Sequence, residues 1–391
     1  MSPTPVTFAS PTAPSTYAWE ATNEEVARRY GLRVDEIVRF DLNTSPLPPE
    51  MVGRILAAGT FETPLSEYPP SDYARLVAAA AARYGVATDE LLVGAGADEI
   101  LDMVGKTFLA PGQAAVVLPP TYSMYRVVTE QRGAAVIDVA RRPASDGWIL
   151  DADAVRQAAR SAAVVWLCSP NNPTGLPEPD GVLASLLADI AADADGDARP
   201  RPIVVIDEAY AEFVDWSALG LRSAYPDLIV VRTMSKAYGL AGIRVGFAVA
   251  QPAIIARMAP YRPPGSVSTV SVTVATEVLG SDGVARDNIA RVVAERPRLV
   301  AALRAAGLTV HESVTNFVLV GLGSAERAGQ VADGLMCRGL VPRTFGQGHP
   351  LAAYLRLTVR ARAENDRLIA TITDIIGAAA PAADPEGEAA P

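Results

Sequence analysis

Seven short, almost unbroken apolar runs divide the middle of the chain, and they constrain its fold more than any other feature. They are Leu91–Val93, Ala115–Leu118, Ala135–Val139, Ala163–Leu167, Ile203–Ile206, Leu228–Val231 and Val245–Val249. A strand with one wet face alternates apolar and polar residues. A run that is apolar throughout is a strand covered on both faces. Helical stretches separate the runs, and a helical pattern at Ser71–Tyr84, which Gly85 should stop, precedes them. Strands alternating with helices imply an α/β fold, with a mostly parallel sheet between two helical layers in three layers, α/β/α. After about Pro263 the pattern changes. A long helix is expected over Val284–Ala306, then strands near Val310, at Phe317–Val320 and at Leu355–Val359. That reads as a smaller α+β domain.

The resulting division is a flexible arm (1–20), a segment joining the small domain (21–45), a large domain (46–270), a small domain (271–377) and a disordered tail (378–391). The first firm helix should start at Thr22, where Glu25 completes a capping box, and end at Gly31.

Composition narrows the function. Half of the 391 residues are hydrophobic and the formal net charge is -10. An acidic balance lacks the basic field that nucleic acid requires, so no nucleic-acid partner is expected. No run reaches the ~18 apolar residues of a membrane span. The N-terminus lacks the basic start and apolar stretch of a secretory signal. Two cysteines and two histidines fit neither a disulfide framework nor a zinc site, and no metal is expected. A reducing cytoplasm fits best. Of the 34 basic residues, Lys106 and Lys236 are the two lysines. Gly105-Lys106-Thr107 lacks the earlier glycine of a phosphate loop, so Lys106 reads as part of a solvated helix face.

Lys236 follows an apolar strand, in Thr233-Met234-Ser235-Lys236, with Arg244 further on. An amine in a dry strand-end site can lose its proton and attack a carbonyl. Thr233, Ser235 and Arg244 offer two hydroxyls and a guanidinium to a phosphate dianion. An amine beside a phosphate clamp is what pyridoxal 5′-phosphate requires. Gly94-Ala95-Gly96 opens a helix at Ala97 and Asp98, whose free N–H groups favour an anion. Alone, that loop reads equally as an ordinary turn. Asp207 ends a strand, where a buried carboxylate needs a partner such as a pyridinium N–H. Tyr210 and Asn172 can reach the ring oxygen of such a cofactor. Tyr122 can stack on a flat ring, or be a core tyrosine.

In chain order these segments resemble the fold-type I, pyridoxal-phosphate-dependent class I/II aminotransferases, in particular the histidinol-phosphate aminotransferase branch. They are GAGADEI (94–100), PPTYSMYR (119–126), SPNNPTG (169–175), IDEAYAEF (206–213), RTMSKAYGLAGIRVGF (232–247), TNFVLV (315–320) and LRLTV (355–359). The resemblance implies amino transfer between an amino acid, or an amino-alcohol phosphate such as histidinol phosphate, and a 2-oxo acid. It makes Lys236 the catalytic Schiff-base lysine. Asp207 becomes the partner of the ring nitrogen, Tyr210 and Asn172 those of the ring oxygen, and Tyr122 the stacking residue. Ala97, Asp98, Thr233, Ser235 and Arg244 hold the phosphate. Tyr68 matches a tyrosine that reaches the cofactor of a neighbouring subunit, which implies a homodimer with shared active sites. Arg356 matches an arginine for the substrate α-carboxylate, and Arg343 one for a substrate phosphate.

The substrate region departs from the branch. Asn43-Thr44-Ser45-Pro46 stands where an Asn-Glu-Asn-Pro-like run is usual, leaving Asn43 as a substrate-binding candidate. Gly265-Ser266 replaces a Phe-Asn pair. These changes open a second reading: a decarboxylase, lyase or cyclase of the same fold, in cobalamin or specialised metabolism. A regulator on this fold would need an appended DNA-binding region, for which the residues before Phe40 are too few and too acidic.

Overall fold

Each of the seven apolar runs forms a strand. The computed structural model describes residues 15–45, 48–281 and 283–378. Residues 1–14 of the expected arm, Pro46 of the substrate segment and residues 379–391 of the expected tail lie outside the described residues. The strands are β1 (Val38–Arg39), β2 (Leu91–Gly94), β3 (Ala114–Val117), β4 (Ala135–Asp138), β5 (Val164–Cys168), β6 (Ile203–Asp207), β7 (Leu228–Thr233), β8 (Gly246–Ala250), β9 (Thr309–Val310), β10 (Phe317–Gly321), β11 (Leu340–Val341) and β12 (Tyr354–Thr358).

Strands β2 to β8 form one sheet in the order β2-β8-β7-β6-β5-β3-β4. Successive residues point to opposite faces, and both faces are packed. Val204, Ile206 and Val230 share one apolar cluster with Leu76, Leu183 and Leu186. Val205, Ile229 and Val231 share another with Ile100, Leu101 and Val104. Burial on both sides is why these strands show no polar alternation; the edge strand β4 is the exception, with Ala135 and Asp138 exposed and Val136 and Ile137 half-buried.

One strand departs from the parallel arrangement: β8 runs antiparallel to β2 and β7. Parallel neighbours need a crossover, usually a helix. Residues 234–245 between β7 and β8 hold only a short 3-10 turn at Ala241–Ile243, so the chain returns beside itself. This return carries Lys236 and Arg244, pinned from both ends by strands.

The second sheet is antiparallel, in the order β12-β10-β9. Helices Gly283–Ala305, Ala325–Met336 and Arg362–Ala378 accompany it, and Leu299, Leu335 and Leu368 pack against Val318, Val320 and Leu355. The N-terminal segment is attached here: β1 pairs parallel with β11, and the buried Phe40 joins the same cluster. β1 and β11 have two residues each, too few to carry a periodicity, and the sequence does not announce them. The helix expected at Ser71 starts at Ala74, because Tyr73 adopts a left-handed φ of 50°. At Thr22 the capping box closes in both directions, at 3.2 and 2.7 Å. Among the described residues no helix is long and apolar enough to cross a membrane.

Candidate active site

Beyond the carboxyl ends of β2, β5, β6 and β7 lies one cavity of about 630 Å³. Ligands bind at such an edge because the strands end there and their loops diverge. Ala97, Asp98, Tyr122, Asn172, Asp207, Tyr210, Thr233, Ser235, Lys236 and Arg244 line it, joined by Asn43, Arg343 and Arg356 from the segments around the second sheet. Tyr68 is the exception. It is 91% exposed and borders a separate groove with Glu67 and Gly265, so within one chain it does not reach the cavity.

An amine and an acid face the same space. Lys236 Nζ donates to the Leu42 carbonyl at 3.3 Å and lies 5.8 Å from the centre of the Tyr210 ring. Loss of water, and next the Arg356 guanidinium, pull its pKa down to about 8. Asp207 is buried at the end of β6. Its Oδ2 accepts from the Tyr125 hydroxyl at 2.8 Å and its Oδ1 from the Ala209 N–H at 3.0 Å. Burial still pushes its pKa up to about 6 against those two bonds.

The loop after β2 is built by close backbone approach. Gly96 has φ 85°, and a Cβ there would sit 2.5 Å from Arg244 Nη2. A Cβ on Gly246 would sit 2.5 Å from the Gly96 carbonyl carbon and 2.6 Å from the Ala97 nitrogen. Glycine at both places lets β8 press against the start of helix Ala97–Phe108, whose first N–H groups have no intrahelical acceptors. Glu99 Oε2 braces the loop by accepting from Ala95 N–H at 2.6 Å. Arg244, itself at a left-handed φ of 53°, donates to Asp98 Oδ2 at 3.3 Å. Asp98 Oδ1 accepts from Tyr122 at 2.9 Å, and Thr233 Oγ1 lies 3.0 Å from Ser235 Oγ. Backbone N–H groups, two hydroxyls and a guanidinium suit a phosphate dianion.

Buried Arg356 donates to Asn172 Oδ1 at 2.6 Å and to the Asp41 carbonyl, and its Nε has no partner among the described residues. Asn43 Nδ2 donates to the Tyr210 hydroxyl at 2.8 Å, so this amide orients Tyr210.

The sequence matches the aminotransferase class I and II family over residues 43–372. The chain belongs to this family. The histidinol-phosphate aminotransferase of Roseiflexus castenholzii is 34% identical over 361 residues, 90% of this chain and 93% of that one. The enzyme of the same name from Cronobacter sakazakii is 35% identical, covering 92% and 95%. Among solved structures, the histidinol-phosphate aminotransferase of Sinorhizobium meliloti in complex with pyridoxal 5′-phosphate superposes with a TM-score of 0.81 at 26% identity, covering 96% of this chain and 100% of that chain.

Several parts of this aminotransferase escaped the sequence reading. Tyr125 is one, although it stands three residues after Tyr122, in the first turn of helix Met124–Gln131. Its ring stacks on Trp166 at 5.6 Å. A second is the buried ion pair of Arg141 and Glu178, far apart in sequence. A third is the N-terminal stretch. Residues 15–20 fall in the arm expected to be flexible, yet Tyr17 and Trp19 line the cavity. Ser15 N–H donates to Glu130 at 3.1 Å, and Arg343 Nη1 to the Ala18 carbonyl at 2.7 Å. Of the substrate-region departures, Thr44 lines the cavity. Ser45 bonds Asn288 at 3.0 Å and Ser266 bonds Glu99 at 2.8 Å, while Gly265 borders the separate groove. Lys106 pairs with Asp102 at 2.6 Å along its own helix, outside the site.

Proposed function

We propose that this aminotransferase binds pyridoxal 5′-phosphate in the cavity, with Lys236 as its covalent attachment point, and moves an amino group between an amino acid and a 2-oxo acid. The observation that carries the reading is the opposition of Lys236, near pKa 8, and buried Asp207, near pKa 6, in one cavity. The cradle of Ala97, Asp98, Thr233, Ser235 and Arg244 would hold the phosphate, and Asp207 the ring nitrogen. Tyr210 and Asn172 would hold the ring oxygen; Asn172 keeps its Nδ2 donor, since its Oδ1 is turned to Arg356. Tyr122 would lie against the ring.

Bound there, the cofactor would supply an aldehyde and a ring able to hold the electron pair that the α-proton leaves behind. Once the donor's amine has replaced it, Lys236 Nζ would remove that proton, since an amine of pKa about 8 is partly neutral near neutral pH. Arg356 orients the donor through its carboxylate by a two-point contact. Asp207 stays ionised against a cationic partner.

Exposed Tyr68 fits a role in a partner's site, so we assign a homodimer with shared sites, working in the cytoplasm, with the large domain at 46–270 and the small domain at 271–377. Thr44 in the cavity wall keeps the decarboxylase, lyase or cyclase reading as a second one. A phosphothreonine decarboxylase from Porphyromonas gingivalis shares the fold, at TM-score 0.72 and 21% identity, covering 87% of this chain and 100% of that chain.

Borohydride reduction followed by peptide mass mapping should find the cofactor on Lys236. Lys236→Ala should abolish amino transfer while still binding the cofactor reversibly. A label elsewhere overturns the assignment. Oxo-acid formed one-for-one with donor consumed supports amino transfer; release of carbon dioxide or ammonia supports the second reading.

A further inference from the structure

Two arginines enter the cavity side by side. Arg343 and Arg356 exchange both backbone hydrogen bonds across an antiparallel bridge, each at 3.1 Å. Their side chains meet different fates. Arg356 has neutral partners, an amide and a carbonyl, so its charge remains available to an anion. Arg343 is already engaged by the N-terminal stretch. Its Nη1 donates to the Ala18 carbonyl at 2.7 Å and lies 3.9 Å from Glu20 Oε1. Its guanidinium sits 5.5 Å from the centre of the Tyr17 ring. Glu20 is held in place, since Oε1 accepts from both Thr344 N–H and Thr344 Oγ1 at 2.8 Å. The two side chains are only 17% and 13% exposed, so water screens the pair weakly. A phosphate approaching Arg343 would meet a fixed negative charge beside it, and like charges at such range repel strongly.

The wall next to this pair is aromatic. Tyr17 and Trp19 meet edge to face at 4.7 Å, and Tyr17 meets Tyr122 at 6.1 Å. Trp19 is 74% exposed at the cavity's edge, a large apolar face left uncovered. A flat apolar side chain would cover it favourably.

We propose that Glu20 is a specificity-determining residue that silences Arg343 as an anion receptor, so that this cavity takes donors with an aromatic or apolar side chain and no phosphate. The inference deepens the functional reading above and rests on it for turnover.

L-Threonine and O-phospho-L-threonine differ only in the phosphate, and both offer Arg356 a carboxylate. Their binding to the cofactor-loaded enzyme is measured by calorimetry, and turnover by formation of the oxo product. The wild type should favour the phosphorylated member by no more than about threefold, and Glu20→Gln should improve that member about tenfold, because one repelling charge is removed. L-Phenylalanine should change less than about twofold on the same substitution, since no charge faces its ring. Glutamine keeps an acceptor for Thr344, so the stretch stays in place. Trp19→Ala should lower kcat/KM for L-phenylalanine about tenfold while leaving L-alanine within about twofold, the size of one lost aromatic contact. A wild-type preference for phosphate of about a hundredfold, or a Glu20→Gln effect equal on all ligands, overturns the proposal. So does an equal loss for phenylalanine and alanine in Trp19→Ala. If the binding ratios hold and no donor turns over, the aminotransferase reading fails and the pocket assignment stands.

Discussion

The Tyr125 hydroxyl donates to Asp207 Oδ2 at 2.8 Å, with both side chains buried beneath the cavity. The bond opposes the desolvation that would otherwise keep Asp207 protonated. Tyr125 is itself held by its stack on Trp166, whose Nε1 donates at 3.1 Å to Thr129 Oγ1. Tyr125→Phe removes the donor and keeps the ring. Apoenzyme affinity for pyridoxal 5′-phosphate should fall between about ten- and a hundredfold, the range for one hydrogen bond to a charged group. Spectroscopic titration of the apoenzyme would measure it; unchanged affinity would show that the hydroxyl does not support Asp207.

Asp207 also makes apoenzyme stability depend on pH in a stated direction. Its folded pKa near 6 exceeds the value of about 3.9 for a free aspartate. Between these values the folded chain binds a proton that the unfolded chain has lost. The contribution is therefore full below about pH 4 and is lost as pH rises through about 6. Asp207→Asn should raise the apoenzyme's melting temperature at pH 7.5, by an amount that shrinks toward pH 4. A difference independent of pH would contradict this sign.

Gly246 sets how closely β8 approaches the anion loop. A Cβ there would meet backbone atoms at 2.5 and 2.6 Å, and backbone cannot rotate aside as a side chain can. Gly246→Ala should destabilise the fold by about 1–3 kcal/mol and weaken cofactor binding at least tenfold, in line with other overpacked sites. Gly220→Ala, with nothing within 4 Å, is the control and should behave as wild type. Thermal melts of both, run beside cofactor titrations, decide the matter.

Arg141 and Glu178 form an ion pair with both side chains only 2% exposed. Glu178 Oε2 also accepts from Leu150 N–H at 2.9 Å, and its own N–H donates to Ser169 Oγ at 3.2 Å, tying down the loop that carries Asn172. Glu178→Ala leaves a buried guanidinium without its counter-charge and should cost about 3–5 kcal/mol in urea denaturation. Arg141→Met combined with Glu178→Leu should recover most of that loss. If the double variant is as unstable as the single one, the penalty arises from the loop rather than from the stranded charge.

Long-range pairing explains which parts of the site are legible in the sequence. Lys236, Asp207 and the Gly94–Asp98 loop each follow a strand visible as an apolar run, so local pattern and the rule of strand ends sufficed. Tyr125 stands three residues beyond Tyr122, but its acceptor is on β6, 82 residues away. The engagement of Arg343 by Ala18 and Glu20 spans more than 320 residues, and no local pattern records it.

The sequence by itself determined the layered α/β architecture, since strands wet on neither face must be covered on both, and it determined which side chains sit at strand ends. Tertiary structure alone decided their state. The fall of Lys236 to about 8 and the rise of Asp207 to about 6 come from water excluded by segments distant in the chain. The placement of residues 15–20 against Arg343 is likewise a matter of packing, because a short stretch without periodicity takes its conformation from the surface it meets.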